Sequence, residues 1–131
     1  MTALALLAVV QSQERDNLRR LFKAQGLSLI TADTVSNGLS ADFNSGPVIV
    51  MLDRDLASPD WRPVVRQFAS HPNCACVILA SRVIDDYLWE EVIKHGGYDV
   101  LAKPFQEREL IQTLEFAWSV TKSRLSARHT G

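Results

Sequence analysis

Cysteines and long apolar runs are both scarce in this chain of 131 residues, and each scarcity excludes a class of protein. The two cysteines, Cys74 and Cys76, are one residue apart, so they cannot form the framework of a disulfide-stapled secreted domain. On a regular strand both side chains would point to the same side, and a bridge between them would be strained. We therefore expect two free thiols in a reducing compartment.

No apolar run is long enough to cross a bilayer, since the opening segment MTALALLAVV falls well short of the roughly 20 residues needed. That segment also lacks the basic start of a signal peptide. The three histidines do not have the spacing of metal ligands. The formal net charge is −1, which is not the basic field of a nucleic-acid-binding or membrane-surface protein. We expect a cytoplasmic protein that binds neither a membrane nor, directly, nucleic acid.

What the sequence does contain is an alternation of extended and helical patterns, without any internal repeat. Strands are predicted at 4–10, 27–32, 48–52, 75–80 and 98–102, and helices at 14–26, 35–42, 61–70, 85–95 and from 107 to beyond 120. Short connections between alternating elements predict an α/β fold with right-handed crossovers. The predicted architecture is a doubly wound (βα)5 domain of the flavodoxin-like type, with one five-stranded parallel sheet covered on both faces.

This domain is expected to occupy residues 1–121, and residues 122–131 are expected to form a C-terminal tail or the end of the last helix. The basic residues that gather there are typical of a short solvated end. Because the sequence stops soon after the last helix, we expect either a stand-alone domain or a segment of a longer protein.

Three polar residues stand at the ends of predicted strands. Asp53 follows the third strand in the segment VIVMLDRDL, Ser81 follows the fourth, and Lys103 follows the fifth. In open parallel sheets the functional crevice lies at the carboxyl ends of the strands, so these side chains should meet there. Spacing alone leaves two interpretations open: a reactive site, or a buried Asp–Lys ion pair with a neighbouring hydroxyl and a purely structural role.

The segments VIVMLDRDL, VILAS and GGYDVLAKPF resemble the receiver domain of two-component response regulators, and the resemblance covers residues 4 to about 120. It implies that Asp53 accepts a phosphoryl group from a sensor histidine kinase or a phosphotransfer protein. It implies also that Ser81 and Lys103 contact that group and that the Lys103–Pro104 peptide bond is cis. A receiver has no enzymatic output of its own, so the chain is not expected to be an enzyme.

The metal-binding part of the receiver pattern is altered in this sequence. Receivers hold Mg²⁺ with an acidic pair just after the first strand, whereas this chain has Gln11 and Ser12 at those positions. Mg²⁺ favours carboxylate oxygen, so the Mg²⁺ cofactor is expected to bind weakly if at all. The remaining candidate ligands are Asp53 and Asp55. The Asp55 side chain could turn toward the metal position, but we favour its capping the loop or pairing with Arg54.

Two further carboxylates, Glu14 and Asp16, lie on the opening turn of the first predicted helix and could replace the missing pair. A carboxylate in the first turn more often interacts with the helix dipole. We therefore expect Glu14 and Asp16 to have that role instead.

The switch position is also altered. Many receivers carry an aromatic residue three positions before the lysine, and its rotation reports phosphorylation, but this chain has Val100 there. Tyr98 is two residues earlier and would lie on the same face of a strand, which makes it a candidate substitute. With both the metal site and the reporter changed, the sequence resembles an atypical receiver.

The last helix offers a candidate partner surface. Phe116 and Val120 are four residues apart and lie opposite the apolar stripe of that helix, so they form a ridge outside the core. In receivers the fourth helix, fifth strand and fifth helix commonly form the dimer or partner surface. The resemblance therefore predicts that Phe116 and Val120 contact a partner, which includes a homodimer.

The leading hypothesis is a receiver in two-component or phosphorelay signalling, with Asp53 as phospho-acceptor and weakened Mg²⁺-dependent phosphorylation. The alternative is a phosphorylation-independent pseudo-receiver that acts as an interaction or dimerisation module. A small flavodoxin-like enzyme or nucleotide binder is disfavoured, because the segment QSQERD after the first strand has no glycine with which to form a phosphate-binding loop.

Overall fold

The computed structural model of the chain describes residues 5–25, 27–41 and 46–130, without the side chains at 25 and 122–130. Within these residues, strands and helices alternate as β1 (Ala5–Val9), α1 (Ser12–Gln25), β2 (Ser28–Ala32), α2 (Val35–Leu39), β3 (Val48–Asp53), α3 (Trp61–Ala69), β4 (Cys74–Ser81), α4 (Asp86–Lys94), β5 (Asp99–Ala102) and α5 (Glu107–Thr130). The predicted elements are all present, with bounds that shift mostly by one or two residues. The expected helix ends at Gly26 and Asp42 lie outside the described residues.

All five strands are parallel and form one sheet in the order β2-β1-β3-β4-β5. This confirms the predicted doubly wound (βα)5 fold. The strand order reverses where β1 and β3 pair, and such a reversal opens a crevice at the carboxyl ends of the strands. Asp53 is the last residue of β3 and therefore lies at that crevice.

Helices cover both faces of the sheet, which explains why the central strands are almost continuously apolar. We call the face covered by α2, α3 and α4 the first layer, and its buried helical residues include Trp61, Val65, Phe68, Leu88 and Val92. We call the face covered by α1 and α5 the second layer, where Leu18, Phe22, Leu110 and Ala117 are buried. Successive strand residues alternate between the two layers, as Val50 and Met51 do in β3.

A register shift in β4 separates the two cysteines. Val48 pairs with Cys74 and Ile49 with Cys76, so Ala75 is an extra residue in β4. Cys74 therefore packs against the first layer and Cys76 against the second. The prediction that both point to the same side is wrong for this reason. Neither Cys74 nor Cys76 is in a disulfide bond, and burial raises the pKa of Cys74 to about 12, so its thiol is protonated at neutral pH.

The last helix, α5, extends to Thr130, so the backbone of residues 122–130 continues the helix. Its buried residues Leu110 and Ala117 hold it against the second layer. Among the residues that the structure describes, no helix has both the length and the apolar character that crossing a bilayer requires.

Gly97 lies where the chain leaves α4 and enters β5, the strand that precedes Lys103. A methyl group on Gly97 would lie 2.4 Å from Cγ1 of Val92 and 3.0 Å from the Val92 carbonyl oxygen. We expect Gly97→Ala to lower the free energy of unfolding by about 1–3 kcal/mol, because the added carbon overlaps buried atoms. Denaturant titration monitored by circular dichroism measures this change. The control is Lys94→Ala on the exposed side of α4, and equal stabilities for the two variants would contradict the prediction.

Candidate functional site

Asp53 presents a buried carboxylate at the end of the central strand. The residue is 0% exposed, and its carbonyl accepts hydrogen bonds from the N–H groups of Leu56 and Ala57 as the chain turns away from the sheet. Its Oδ1 accepts a hydrogen bond of 2.8 Å from the N–H of Asp55. The carboxylate is thus fixed by its own turn, and Oδ2 remains for another partner.

Lys103 supplies that partner. Its Nζ donates to Oδ2 of Asp53 at 2.6 Å, and its side chain is 2% exposed. The backbone N–H of Lys103 donates to the carbonyl of Ser81, which holds the end of β5 against β4, and the Lys103–Pro104 peptide bond is cis. Burial by itself lowers the pKa of Lys103, but the hydrogen bond and charge of Asp53 outweigh it and raise that pKa above its ordinary value. The amine is therefore charged at neutral pH.

Two more carboxylates approach the same amine. Glu14 Oε1 lies 3.4 Å from Lys103 Nζ, and Asp55 Oδ2 lies 3.5 Å from it. The carboxylates of Glu14, Asp53 and Asp55 therefore surround one ammonium group, which we call the lysine pocket. Oε2 of Glu14 is buried and has no hydrogen-bond partner.

The position of Glu14 corrects the prediction that it serves the helix dipole instead of the site. Helical side chains tilt toward the N-terminus of their helix. Because α1 begins at Ser12, directly beyond the crevice, the Glu14 side chain extends back over the strand ends. Asp16, on the same turn, is exposed. The sequence locates Glu14 on this opening turn, but only the fold shows that its side chain reaches the site.

Asp55 also differs from expectation. The sequence favours a carboxylate that caps the loop or pairs with Arg54, whereas Asp55 pairs with Lys103 and, at 3.9 Å, with the Nε atom of Arg82. Arg54 turns toward Ser81 instead, with its Nη1 atom 3.5 Å from the Ser81 hydroxyl. The alternative that placed the Asp55 carboxylate in the site is the one that the structure supports.

Ser81 ends β4 beside Asp53, and its side chain is engaged within its own loop. The hydroxyl donates to the Val83 carbonyl at 2.8 Å and accepts from the Val83 N–H at 3.3 Å. Among the described residues, the Ser81 hydroxyl makes no hydrogen bond to the side chain of Asp53 or of Lys103. The fold therefore brings the acid and the amine into contact and leaves the hydroxyl nearby, at the same edge of the sheet.

The two candidates for a reporter residue face opposite layers. Val100 is half-buried and packs against the first layer, whereas Tyr98 packs against the second. Tyr98 precedes β5, so the alternation of a regular strand does not relate it to Val100. The prediction that Tyr98 shares a face with Val100 is therefore wrong.

The candidate partner ridge on α5 is only partly exposed. Phe116 is 68% exposed, whereas Val120 is half-buried. On α4 the large apolar residues Tyr87, Trp89 and Ile93 are also exposed. Both helices thus carry apolar side chains that the described residues do not cover.

No protein-family model matches the chain. Among curated proteins, the regulatory protein AtoC from Escherichia coli strain K12 is 25% identical to it over 133 residues. The match covers 98% of this chain but only 28% of AtoC, so the chain spans less than a third of that relative.

Solved structures agree closely in fold. NtrX from Brucella abortus superposes with a TM-score of 0.82 and 24% identity, over 100% of this chain and 30% of NtrX. A second match is the signal receiver domain of a protein described as a LuxO repressor, from Vibrio parahaemolyticus. It superposes with a TM-score of 0.81 and 17% identity, over 97% of this chain and 98% of that domain. The chain has the receiver fold of response regulators.

A receiver implies a Mg²⁺ ion beside the phospho-accepting aspartate, and the donor set here does not fit one. Gln11 and Ser12 carry neutral side chains where the acidic pair is expected, and the charged amine of Lys103 lies among the three nearby carboxylates. Within the described residues no group of three or more acidic, histidine or cysteine side chains has the arrangement of a metal site. Mg²⁺ prefers several oxygen ligands. Here the carboxylate oxygens that could bind it already lie against the ammonium of Lys103.

The lysine pocket predicts a specific dependence of stability on pH. The pKa of Lys103 is higher in the folded protein than in the unfolded chain, so the charged amine stabilises the fold. This stabilisation is complete below the ordinary lysine pKa of 10.5 and is lost as the pH rises through the raised pKa of the folded state. We expect Lys103→Met to lower the free energy of unfolding by about 3–5 kcal/mol at neutral pH, since it leaves Asp53 buried without its partner. The difference from wild type should shrink above the ordinary lysine pKa.

Urea unfolding of both proteins across this alkaline range measures the difference. Lys94→Met, at an exposed lysine of α4, is the control and should show no such trend. A difference that stays constant as the pH rises would mean that the charge of Lys103 does not stabilise the fold.

Proposed function

We propose that this chain is a signal-receiving module of a two-component or phosphorelay pathway, in which Asp53 accepts a phosphoryl group slowly. The observation that supports this best is the contact of Asp53 with Lys103 at the crevice of a receiver fold. A buried acid in contact with a buried amine at this edge of the sheet is the arrangement that the receiver pattern requires.

In the proposed reaction, an oxygen of Asp53 forms a bond to phosphorus while the phosphorus–nitrogen bond of a phosphohistidine donor breaks, and the histidine nitrogen regains a proton. Lys103 Nζ, which holds Oδ2 of Asp53 before transfer, would then pair with a phosphoryl oxygen. The Ser81 hydroxyl would exchange the Val83 carbonyl for another phosphoryl oxygen.

Burial and the altered metal site support slow transfer. The side chain of Asp53 is 1% exposed and its Oδ2 atom contacts the amine of Lys103 at 2.6 Å, so this contact must change before a donor reaches that oxygen. Neutral Gln11 and Ser12 replace the acidic pair, so we propose that Mg²⁺ binds only weakly. Both features raise the barrier to the approach of an anionic phosphoryl donor.

We propose that the donor is a sensor histidine kinase or a phosphotransfer protein. We also propose that this chain is a cytoplasmic module that has no enzymatic turnover and does not bind nucleic acid directly. The partner surface is proposed to include Phe116 and Val120, either toward another protein or toward a second copy across α4, β5 and α5. The large exposed fraction of Phe116 supports this surface, because a phenylalanine leaves water when a partner covers it.

The second candidate is a phosphorylation-independent pseudo-receiver. The observation in its favour is that Lys103 is engaged by three carboxylates and not by Asp53 alone, which favours one fixed arrangement of the strand ends. In that case the fold would present its surface to partners permanently.

Incubation with acetyl phosphate separates the two candidates. We expect the wild type to gain the mass of one phosphoryl group slowly, because Asp53 is buried and in contact with Lys103, and we expect Asp53→Asn to gain none. The control is Asp86→Asn, which removes an exposed carboxylate from the first turn of α4 and should react like the wild type. Intact-protein mass spectrometry measures the extent of reaction.

A mass gain that persists in Asp53→Asn would contradict the assignment of the acceptor. No gain in the wild type, with or without Mg²⁺, would instead favour the pseudo-receiver.

The partner ridge can be tested by truncating its side chains. We expect the double variant Phe116→Ala and Val120→Ala to weaken self-association or capture by a cognate kinase at least tenfold, since truncating an apolar interface anchor costs about 2 kcal/mol or more. Light scattering over a concentration series measures self-association, and a pull-down measures capture by the kinase. The control removes polar side chains from the same helix, Gln112→Ala with Ser119→Ala. Equal behaviour of the two double variants would remove the proposed surface.

A further inference from the structure

The lysine pocket is assembled from separate parts of the fold. Glu14 comes from the first turn of α1, Asp53 from the end of β3, Asp55 from the turn that follows it, and Lys103 from the residue after β5. The distances from Lys103 Nζ to the three carboxylates are 3.4, 2.6 and 3.5 Å respectively. Asp53 accepts a hydrogen bond from this ammonium, and the carboxylates of Glu14 and Asp55 lie within ion-pair distance of it.

We infer that the Lys103 ammonium is the resident cation of this pocket and that Glu14 positions it there. In this chain the amine provides the positive charge that a divalent ion would provide beside Asp53. The inference concerns which cation the pocket holds, and it does not depend on whether Asp53 is phosphorylated.

Burial supports the role of Glu14. Its side chain is 13% exposed, and Oε2 is buried without a hydrogen-bond partner. Burying a carboxylate oxygen in this way costs free energy that the attraction to a nearby cation must offset. The cation within reach of Glu14 in the described structure is Lys103. Glu14 is therefore held in the pocket by the amine, and the amine by Glu14 and Asp53.

The surrounding charges oppose replacement of the amine by a metal ion. Arg82 lies 3.9 Å from the same Asp55 oxygen that faces Lys103, and Arg54 lies beside Ser81 at the adjoining strand end. A divalent ion that entered would have to displace a buried ammonium and approach these two guanidinium groups. The pocket is therefore selective for its own lysine over Mg²⁺.

Removing the amine should turn the pocket into a site for divalent ions. We expect Lys103→Gln to bind Mn²⁺ roughly tenfold or more tightly than the wild type, because three carboxylates lose their internal cation. Adding Glu14→Gln to that variant should reverse most of the gain. Lys94→Gln removes the same charge from exposed α4 and should leave the affinity unchanged. Isothermal titration calorimetry with Mn²⁺ alone, on variants whose circular dichroism is native, measures these affinities.

A measurement on the unaltered lysine covers the case in which Lys103→Gln does not fold. A buried ammonium held by carboxylates exchanges protons slowly, so Lys103 should give its own ¹H–¹⁵N signal at neutral pH in protein labelled with ¹⁵N-lysine. Glu14→Gln should shift or broaden that signal, Asp16→Asn on the same helical turn should not, and millimolar Mg²⁺ should leave it in place.

The inference is overturned if Lys103→Gln binds Mn²⁺ no better than the wild type. It is also overturned if the gain survives Glu14→Gln, or if millimolar Mg²⁺ releases the Lys103 signal in a saturable way.

Discussion

The ammonium of Lys103 lies 2.6 Å from the carboxylate of Asp53, and solvent reaches almost none of either group. Removing two charges from water costs several kcal/mol for each ion, so such a pair persists only with close geometry and further bonds. Both conditions hold, since Asp53 also accepts the N–H of Asp55 and the amine also faces Glu14. The pair joins the end of the central strand to the end of the edge strand β5, across β4. The arrangement of the crevice depends on this contact.

Much of this could be predicted from the sequence. Continuous apolar strands alternating with amphipathic helices determine a doubly wound sheet, and the first polar residue after an apolar strand marks its carboxyl end. Asp53 and Lys103 were found in this way, because the topology of a parallel sheet brings strand ends together whatever the details of packing. Ser81 was placed at the correct edge by the same rule, although its hydroxyl bonds within its own loop.

Other features depend on three-dimensional detail that spacing does not encode. Glu14 belongs to the pocket because of the position at which α1 begins and the tilt of helical side chains, which a linear pattern does not reveal. Ala75 is an extra residue in β4, and only the pairing with β3 shows that it turns Cys74 and Cys76 to opposite faces. Tyr98 falls before β5 begins, so the two-residue period of a strand does not apply to it.

The central claim is that the buried contact between Asp53 and Lys103 stabilises this receiver fold, and a double-mutant cycle tests it most directly. The free energies of unfolding of the wild type, Asp53→Asn, Lys103→Met and the double variant would be measured at neutral pH. Each single change should cost several kcal/mol, and the double variant should cost less than their sum by at least about 2 kcal/mol, because removing the second partner eliminates an unpaired buried group. Additive costs would show that the two side chains do not interact in solution, and would contradict the central claim.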